Sequence, residues 1–150
     1  MDKVSLYNTN SEIAVRFLII LNKYKKPIDL ETLLIIDYLS LHINTVDEEI
    51  DSLHPDNPLF GIEIVTKNSI AKESVNLLLK KGLINLVFSD EGIKYSYKII
   101  SDHFLSFFDG KYYSKLTMYI EKVISIFSSD AEEDIQNFVN RNIDKWYGRD

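Results

Sequence analysis

Residues 69–98, SIAKESVNLLLKKGLINLVFSDEGIKYSYK, constrain the fold more than any other stretch of the chain. Ala71, Val75, Leu78 and Leu79 recur at helical spacing, with Ser69, Lys72, Glu73, Asn76 and Lys80 on the opposite face. Gly82 stands where a helix leaves through a left-handed residue, a conformation that penalises any side chain with a Cβ. Beyond it, Leu83-Ile84-Asn85-Leu86-Val87-Phe88 is β-rich and Ser89-Asp90-Glu91-Gly92 is turn chemistry. Ile93, Tyr95, Tyr97 and Ile99 then alternate with polar residues, as in a second strand. A helix running straight into a β-hairpin is the recognition helix and wing of a winged helix. That fold serves DNA binding and protein assembly alike, so function has to be argued from the surface it presents.

The flanking segments are mostly helical. Asn8-Thr9-Asn10-Ser11 offers N-caps for a first helix ending near Lys26-Pro27, with Ile13, Phe17, Ile20, Leu21 and Tyr24 as its core stripe. Asp29 can cap a second helix, LETLLIIDYLSLH, which is apolar nearly all round and is expected at the buried centre. Asp37 interrupts that apolar surface. An unpaired buried carboxylate is costly, so a partner is expected, and Arg16 of the first helix is the candidate.

Residues 43–61 form a long connection with two prolines and an acidic cluster at Asp47, Glu48, Glu49 and Asp51. Leu53, Leu59 and Phe60 are expected to anchor it, which makes His54, Pro55 and Pro58 parts of a packed structural loop. Ile62-Glu63-Ile64-Val65 alternates and is expected to be a short strand able to pair with the wing. After the wing, Ser101 is expected to cap a short helix carrying Phe104, Leu105, Phe107 and Phe108. Tyr112, Leu116, Tyr119, Ile120, Val123, Ile124 and Phe127 trace the next helix. Ser129 with Glu132 fits a capping box opening a last helix, along which Ile135, Phe138, Val139 and Trp146 form a stripe. The expected architecture is mostly α within an α+β class. A winged-helix-like core spans residues 1–100, and a helical extension over 101–150 packs on it or on a partner, within one domain overall.

Charge and chemistry narrow the function. The net charge of −6 opposes dedicated duplex binding, which relies on neutralising phosphates. Only residues 67–100 are basic, with six lysines, no arginine and three acidic groups. Lys67, Lys72, Lys80, Lys94 and Lys98 are the candidate nucleic-acid contacts, but bidentate readout favours Arg, so the patch is thin. The five glycines stand apart at 61, 82, 92, 110 and 148, which excludes Gly-rich phosphate loops. There is no cysteine, and His42, His54 and His103 form no HxxxH or HExxH pattern. The acidic cluster lacks EF-hand spacing. No catalytic, cofactor or metal-binding residue is therefore expected. Apolar runs of about five residues fall far short of the roughly 20 that span a bilayer. The opening MDKVSLYNTNSE has no signal-peptide apolar core, so a cytoplasmic location is expected.

Five sequence words in order carry a family resemblance. They are Ala14-Val15-Arg16-Phe17-Leu18, Ile36-Asp37-Tyr38-Leu39, the loop Ser52-Leu53-His54-Pro55-Asp56-Asn57-Pro58, then Leu79-Lys80-Lys81-Gly82-Leu83-Ile84 and Glu91-Gly92-Ile93-Lys94-Tyr95. Tyr113-Ser114-Lys115-Leu116 and Trp146 continue the series. Together they resemble the middle component of bacterial ABC-three-component systems, a family that includes the accessory subunit of Lamassu anti-phage systems. The resemblance implies a small winged-helix-like, non-enzymatic protein working beside a dimeric SMC/Rad50-like ATPase and a toxic effector, a nuclease by expectation. It implies no small-molecule substrate, no membrane and at most indirect contact with DNA. Ile135, Phe138, Val139, Trp146 and Tyr147 are then the candidate partner interface. One departure stands out: Thr66-Lys67-Asn68 occupies a place where the family pattern is basic and contains Arg. The alternative reading is a winged-helix transcriptional regulator using Ser69, Lys72, Asn76 and Lys80 in the major groove.

Overall fold

The computed structural model describes residues 10–45, 53, 68–126 and 137. Its elements are α1 (Asn10–Tyr24), α2 (Leu30–Leu41), a 3-10 turn (Ile43–Thr45), α3 (Asn68–Lys80), β1 (Ile84–Ser89), β2 (Gly92–Tyr97), α4 (Ser101–Leu105) and α5 (Lys111–Ile126). Over the described residues the protein is mostly helical with one antiparallel hairpin, the α+β class that its sequence predicts.

Two helices form the centre. In α2, ten of twelve residues are buried, as expected of a helix apolar on every side. Asp29 starts it, its Oδ1 accepting from the Thr32 backbone N–H at 2.8 Å. α1 is more deeply buried than its expected stripe: every residue from Ile13 to Leu21 is covered. The reason is its position, since α1 touches α2, α3, α4, α5 and β2 and therefore presents several faces to neighbours. α5 adds Leu116, Tyr119, Ile120 and Val123 to the same apolar cluster, so residues beyond 100 help build the core.

Arg16 and Asp37 meet inside this apolar centre. Arg16 Nε donates to Asp37 Oδ1 at 2.6 Å and its Nη2 to Oδ2 at 3.1 Å, a bidentate pair with residues 1% and 6% exposed. Burial alone pulls the guanidinium's pKa down. Attraction and hydrogen bonding from Asp37 outweigh that pull, and the pKa lies above its ordinary value. The start of α5 joins the same region, where Tyr113 donates its hydroxyl to Glu12 of α1 at 3.1 Å.

The helix ends show how the chain turns. α3 closes in a Schellman motif: Leu83 N–H bonds Leu78 O and Gly82 N–H bonds Leu79 O, both at 3.0 Å, with Gly82 at φ 70°. α1 ends in the same left-handed region, but on Lys25 at φ 65°, where a Cβ is strained. From there Ile28 forms an antiparallel bridge with Tyr95, exchanging two backbone bonds of 2.9 Å. This bridge ties β2 to the α1–α2 connection and was not anticipated. A single residue between Pro27 and Asp29 carries no strand periodicity. The expected strand at 62–65 lies outside the described residues, as do the prolines and His54 of the long loop. Leu53 is described, and it is half-buried against the core.

α4 corrects one expectation. Ser101 does not cap it; it is the first helical residue, fully buried, and its hydroxyl donates to Leu83 O at 2.6 Å. The hydroxyl is drawn to a strand-entry carbonyl across 18 residues instead of to its own helix, which begins without a side-chain cap. Tyr97 completes this joint by donating to Asp102 Oδ1 at 2.5 Å. Burial, then the hydrogen bond to Asp102 and its negative charge, push the Tyr97 phenol well above its ordinary range.

Asp37→Ala should cost about 3–5 kcal/mol in urea unfolding because it strands a buried guanidinium. The double variant Arg16→Met with Asp37→Leu should lose much less. Lys25→Gly should gain up to ~1 kcal/mol by relieving the left-handed strain. The Tyr97 phenol titrates higher folded than unfolded, so its contribution is intact below about pH 10 and fades as pH rises beyond. Tyr97→Phe should therefore show a shallower alkaline loss of thermal stability above about pH 10.

Candidate interaction surface on the third helix and hairpin

α3 buries Ala71, Ser74, Val75 and Leu78 and turns Ser69, Lys72, Glu73, Asn76 and Lys80 outward. This is the division the helical spacing predicts, except that Leu79 is only half-buried and Ser74 fills the inner face. Ser74 is tolerated there because its hydroxyl donates back to Ile70 O at 2.9 Å. Glu73 is not idle: it accepts from Asn10 Nδ2 at 2.8 Å and ties α3 to the start of α1. Two exposed lysines, Lys72 and Lys80, are thus the helix's cationic groups, beside Lys81 in the turn that follows.

The hairpin register pairs Ile84 with Tyr97, Leu86 with Tyr95, and Phe88 with Ile93. Paired residues of an antiparallel ladder share a face, so these six form one apolar side. Asn85, Ser96, Val87 and Lys94 make up the other. Burial falls steadily along the apolar side. Ile84 is 2% exposed at the base, Leu86 42% in the middle, and Phe88 76% near the tip. Gly92, at φ 114°, takes the positive dihedral of the turn, so Asp90 and Glu91 can occupy its centre. Ser89 fastens that turn by donating to Gly92 O at 2.9 Å and accepting from Glu91 N at 3.3 Å.

The candidate phosphate contacts of the hairpin are placed less favourably. Lys94 Nζ lies 3.0 Å from Glu91 Oε2, with its side chain only 17% exposed. A phosphate would have to compete with that carboxylate. Lys98 is half-buried where the hairpin meets α4, and its backbone N–H donates to Leu83 O at 3.4 Å. The structure therefore brings Lys72 and Lys80 onto one exposed helix face but does not extend that face into a basic hairpin. Lys67 lies outside the described residues, as do Ile135, Phe138, Val139, Trp146 and Tyr147.

Sequence reasoning missed the exposed apolar tip. Leu86, Phe88 and Ile93 read as ordinary strand residues, and their alternation announces only that one face is apolar. Which part of that face is covered depends on where the hairpin meets the helices, and no local pattern encodes it.

The remaining histidines have structural surroundings. His42 is buried at the end of α2 and stacks on Tyr38 with centroids 4.1 Å apart. His103 is exposed and meets the edge of Phe107. Among the described residues, no group of three or more His, Cys, Asp or Glu is arranged to hold a metal ion. Among them, too, no helix is long and apolar enough to cross a membrane.

No curated protein and no solved structure matches the chain. Residues 6–149 match the family model described as ABC-three component (ABC-3C) system Middle Component 2. The match takes in both central helices, the hairpin and α5, so the chain belongs to the Middle Component 2 family of ABC-three component systems.

Proposed function

We propose that this protein is a non-enzymatic accessory subunit of a Lamassu-type anti-phage complex, acting in the cytoplasm. It links a dimeric SMC/Rad50-like ATPase to a toxic effector, a nuclease in this reading, and restrains the effector until the ATPase engages foreign DNA. The family match over residues 6–149 carries the reading, since a middle component works with the other components of its system. Two further observations support it. The net charge of −6 suits a basic protein partner better than a phosphate backbone, and the hairpin's Lys94 is already committed to Glu91. In this reading the core is a winged helix used for assembly, and Ile135, Phe138, Val139, Trp146 and Tyr147 form part of the partner contact. No cofactor and no small-molecule substrate is called for.

Exposed Lys72 and Lys80 on α3 favour a second reading, a winged-helix DNA-binding regulator. Three measurements separate them. Co-expression with the ATPase and effector components of its system should yield a stable complex by size exclusion. The effector should be more toxic to cells when this chain is left out. The isolated subunit should show negligible duplex binding by fluorescence anisotropy at low salt, unchanged by Lys72→Glu with Lys80→Glu. Tight duplex binding that weakens steeply with salt and disappears in that double variant, with no complex formed, would establish the regulator instead.

A further inference from the structure

We propose that the hairpin tip is a protein-docking anchor: Phe88, flanked by Leu86 and Ile93, enters an apolar pocket whose rim is basic on a partner subunit. The inference rests on the accessory-subunit reading and names the surface through which assembly occurs.

Three observations carry it. First, the tip side chains do not hold the hairpin in place. That task falls to the Ile28–Tyr95 bridge and to bonds from Lys98 N–H and the Ser101 hydroxyl to Leu83 O, all nearer the hairpin's base. A strand tip freed of structural duty would keep its β-propensity with Thr in place of Phe. Instead Phe88 leaves about 150 Å² of ring and stem in water, in line with a full side-chain area of roughly 200 Å². Leu86 at 42% and Ile93 at 49% exposure flank it on the same face.

Second, charge selects the class of occupant. Asp90 and Glu91 are exposed at the turn, and Lys94 is the hairpin strands' single cation, bound to Glu91. The tip is net negative. Nucleic-acid phosphates and anionic lipid headgroups would both be repelled, whereas a pocket bordered by Arg or Lys on a protein would be attracted.

Third, the same hairpin has further exposed apolar side chains at its other end. The Tyr97–Asp102 bond sets α4 at the base of the same hairpin face. Around α4, Ile99, Ile100 and Phe107 are 82%, 72% and 71% exposed. A lone Phe falls well short of the roughly 800 Å² per partner of a standard interface. Phe88 can serve as the anchor of a contact that the α4 region, at the hairpin's other end, extends toward such a size.

The test uses the full chain with the purified ATPase and effector components of the same system, each measured separately by calorimetry. Phe88→Asp should weaken binding to one of them at least tenfold, and Ile93→Ser severalfold, while the melting temperatures of both variants stay near the native value. Asp90→Lys should weaken binding severalfold and flatten its dependence on salt. Native binding by both Phe88→Asp and Ile93→Ser, to components that the unaltered chain binds well, would overturn the docking surface and leave the accessory reading standing. An unaltered chain that binds neither component would overturn both. Loss in these variants of binding to a DNA duplex or to phosphatidylserine vesicles, with protein binding intact, would also overturn the proposal.

Discussion

The bidentate pair between Arg16 and Asp37 is the constraint around which the helices are arranged. Seven buried apolar side chains of α2 contribute roughly 10–20 kcal/mol of gross burial, at about 1.5–3 kcal/mol each. That easily offsets a desolvation penalty of several kcal/mol per ion. Burial of this kind is not directional, however. A helix apolar on all sides can rotate or slide against apolar neighbours with little change in buried area. One guanidinium with two fixed N–H vectors, facing one carboxylate, removes that freedom. It fixes the rotation of α2 against α1, and the Tyr113–Glu12 bond then brings the start of α5 to the same place. The polar pair thus chooses one arrangement among several that the apolar surface alone would allow.

Once α1 and α2 are fixed, so is the segment between them. Ile28 sits in that short connection, and its two bonds to Tyr95 transfer the orientation of the helical core to the hairpin. α3 reaches the hairpin from the other side through the Gly82 turn, and Ser101 closes the joint on Leu83. The hairpin base is held from three directions while its outer half is held by none of them. Rigidity at the root with apolar surface at the end is the mechanical condition for an anchor: little conformational entropy is lost when the tip is covered.

Much of this fold was legible because its signals are local. Helical spacing gave the division of α3, the position of Gly82 gave its end, β-rich composition gave the first strand and alternation the second. The Arg16–Asp37 pair was legible for a different reason. A carboxylate in an otherwise apolar helix must find a cation, and Arg16 lies among the apolar residues of the neighbouring helix. What stayed hidden is what depends on three-dimensional neighbours. The Ile28 bridge is one residue long, the buried hydroxyl of Ser101 looked like a helix cap, and α1 looked one-sided because its sequence cannot say how many elements surround it. The surface followed the same rule. Lysines could be counted, but not that Lys94 would be committed to Glu91, nor that Phe88 would stand in water.

That last difference shifts the weight of the functional argument from helix to hairpin. In a winged helix built for DNA, recognition helix and wing act together, and positive charge runs from one to the other. Here the two surfaces have opposite character. α3 offers two exposed lysines, and the hairpin that follows it ends in two carboxylates and a phenylalanine. A duplex following the helix would meet repulsion and unsatisfied apolar surface at the hairpin. A protein is not so restricted, since its surface can carry acidic groups opposite the α3 lysines and a basic-rimmed pocket opposite the tip. Mixed charge over short distances is what protein surfaces can complement and a uniformly anionic polymer cannot.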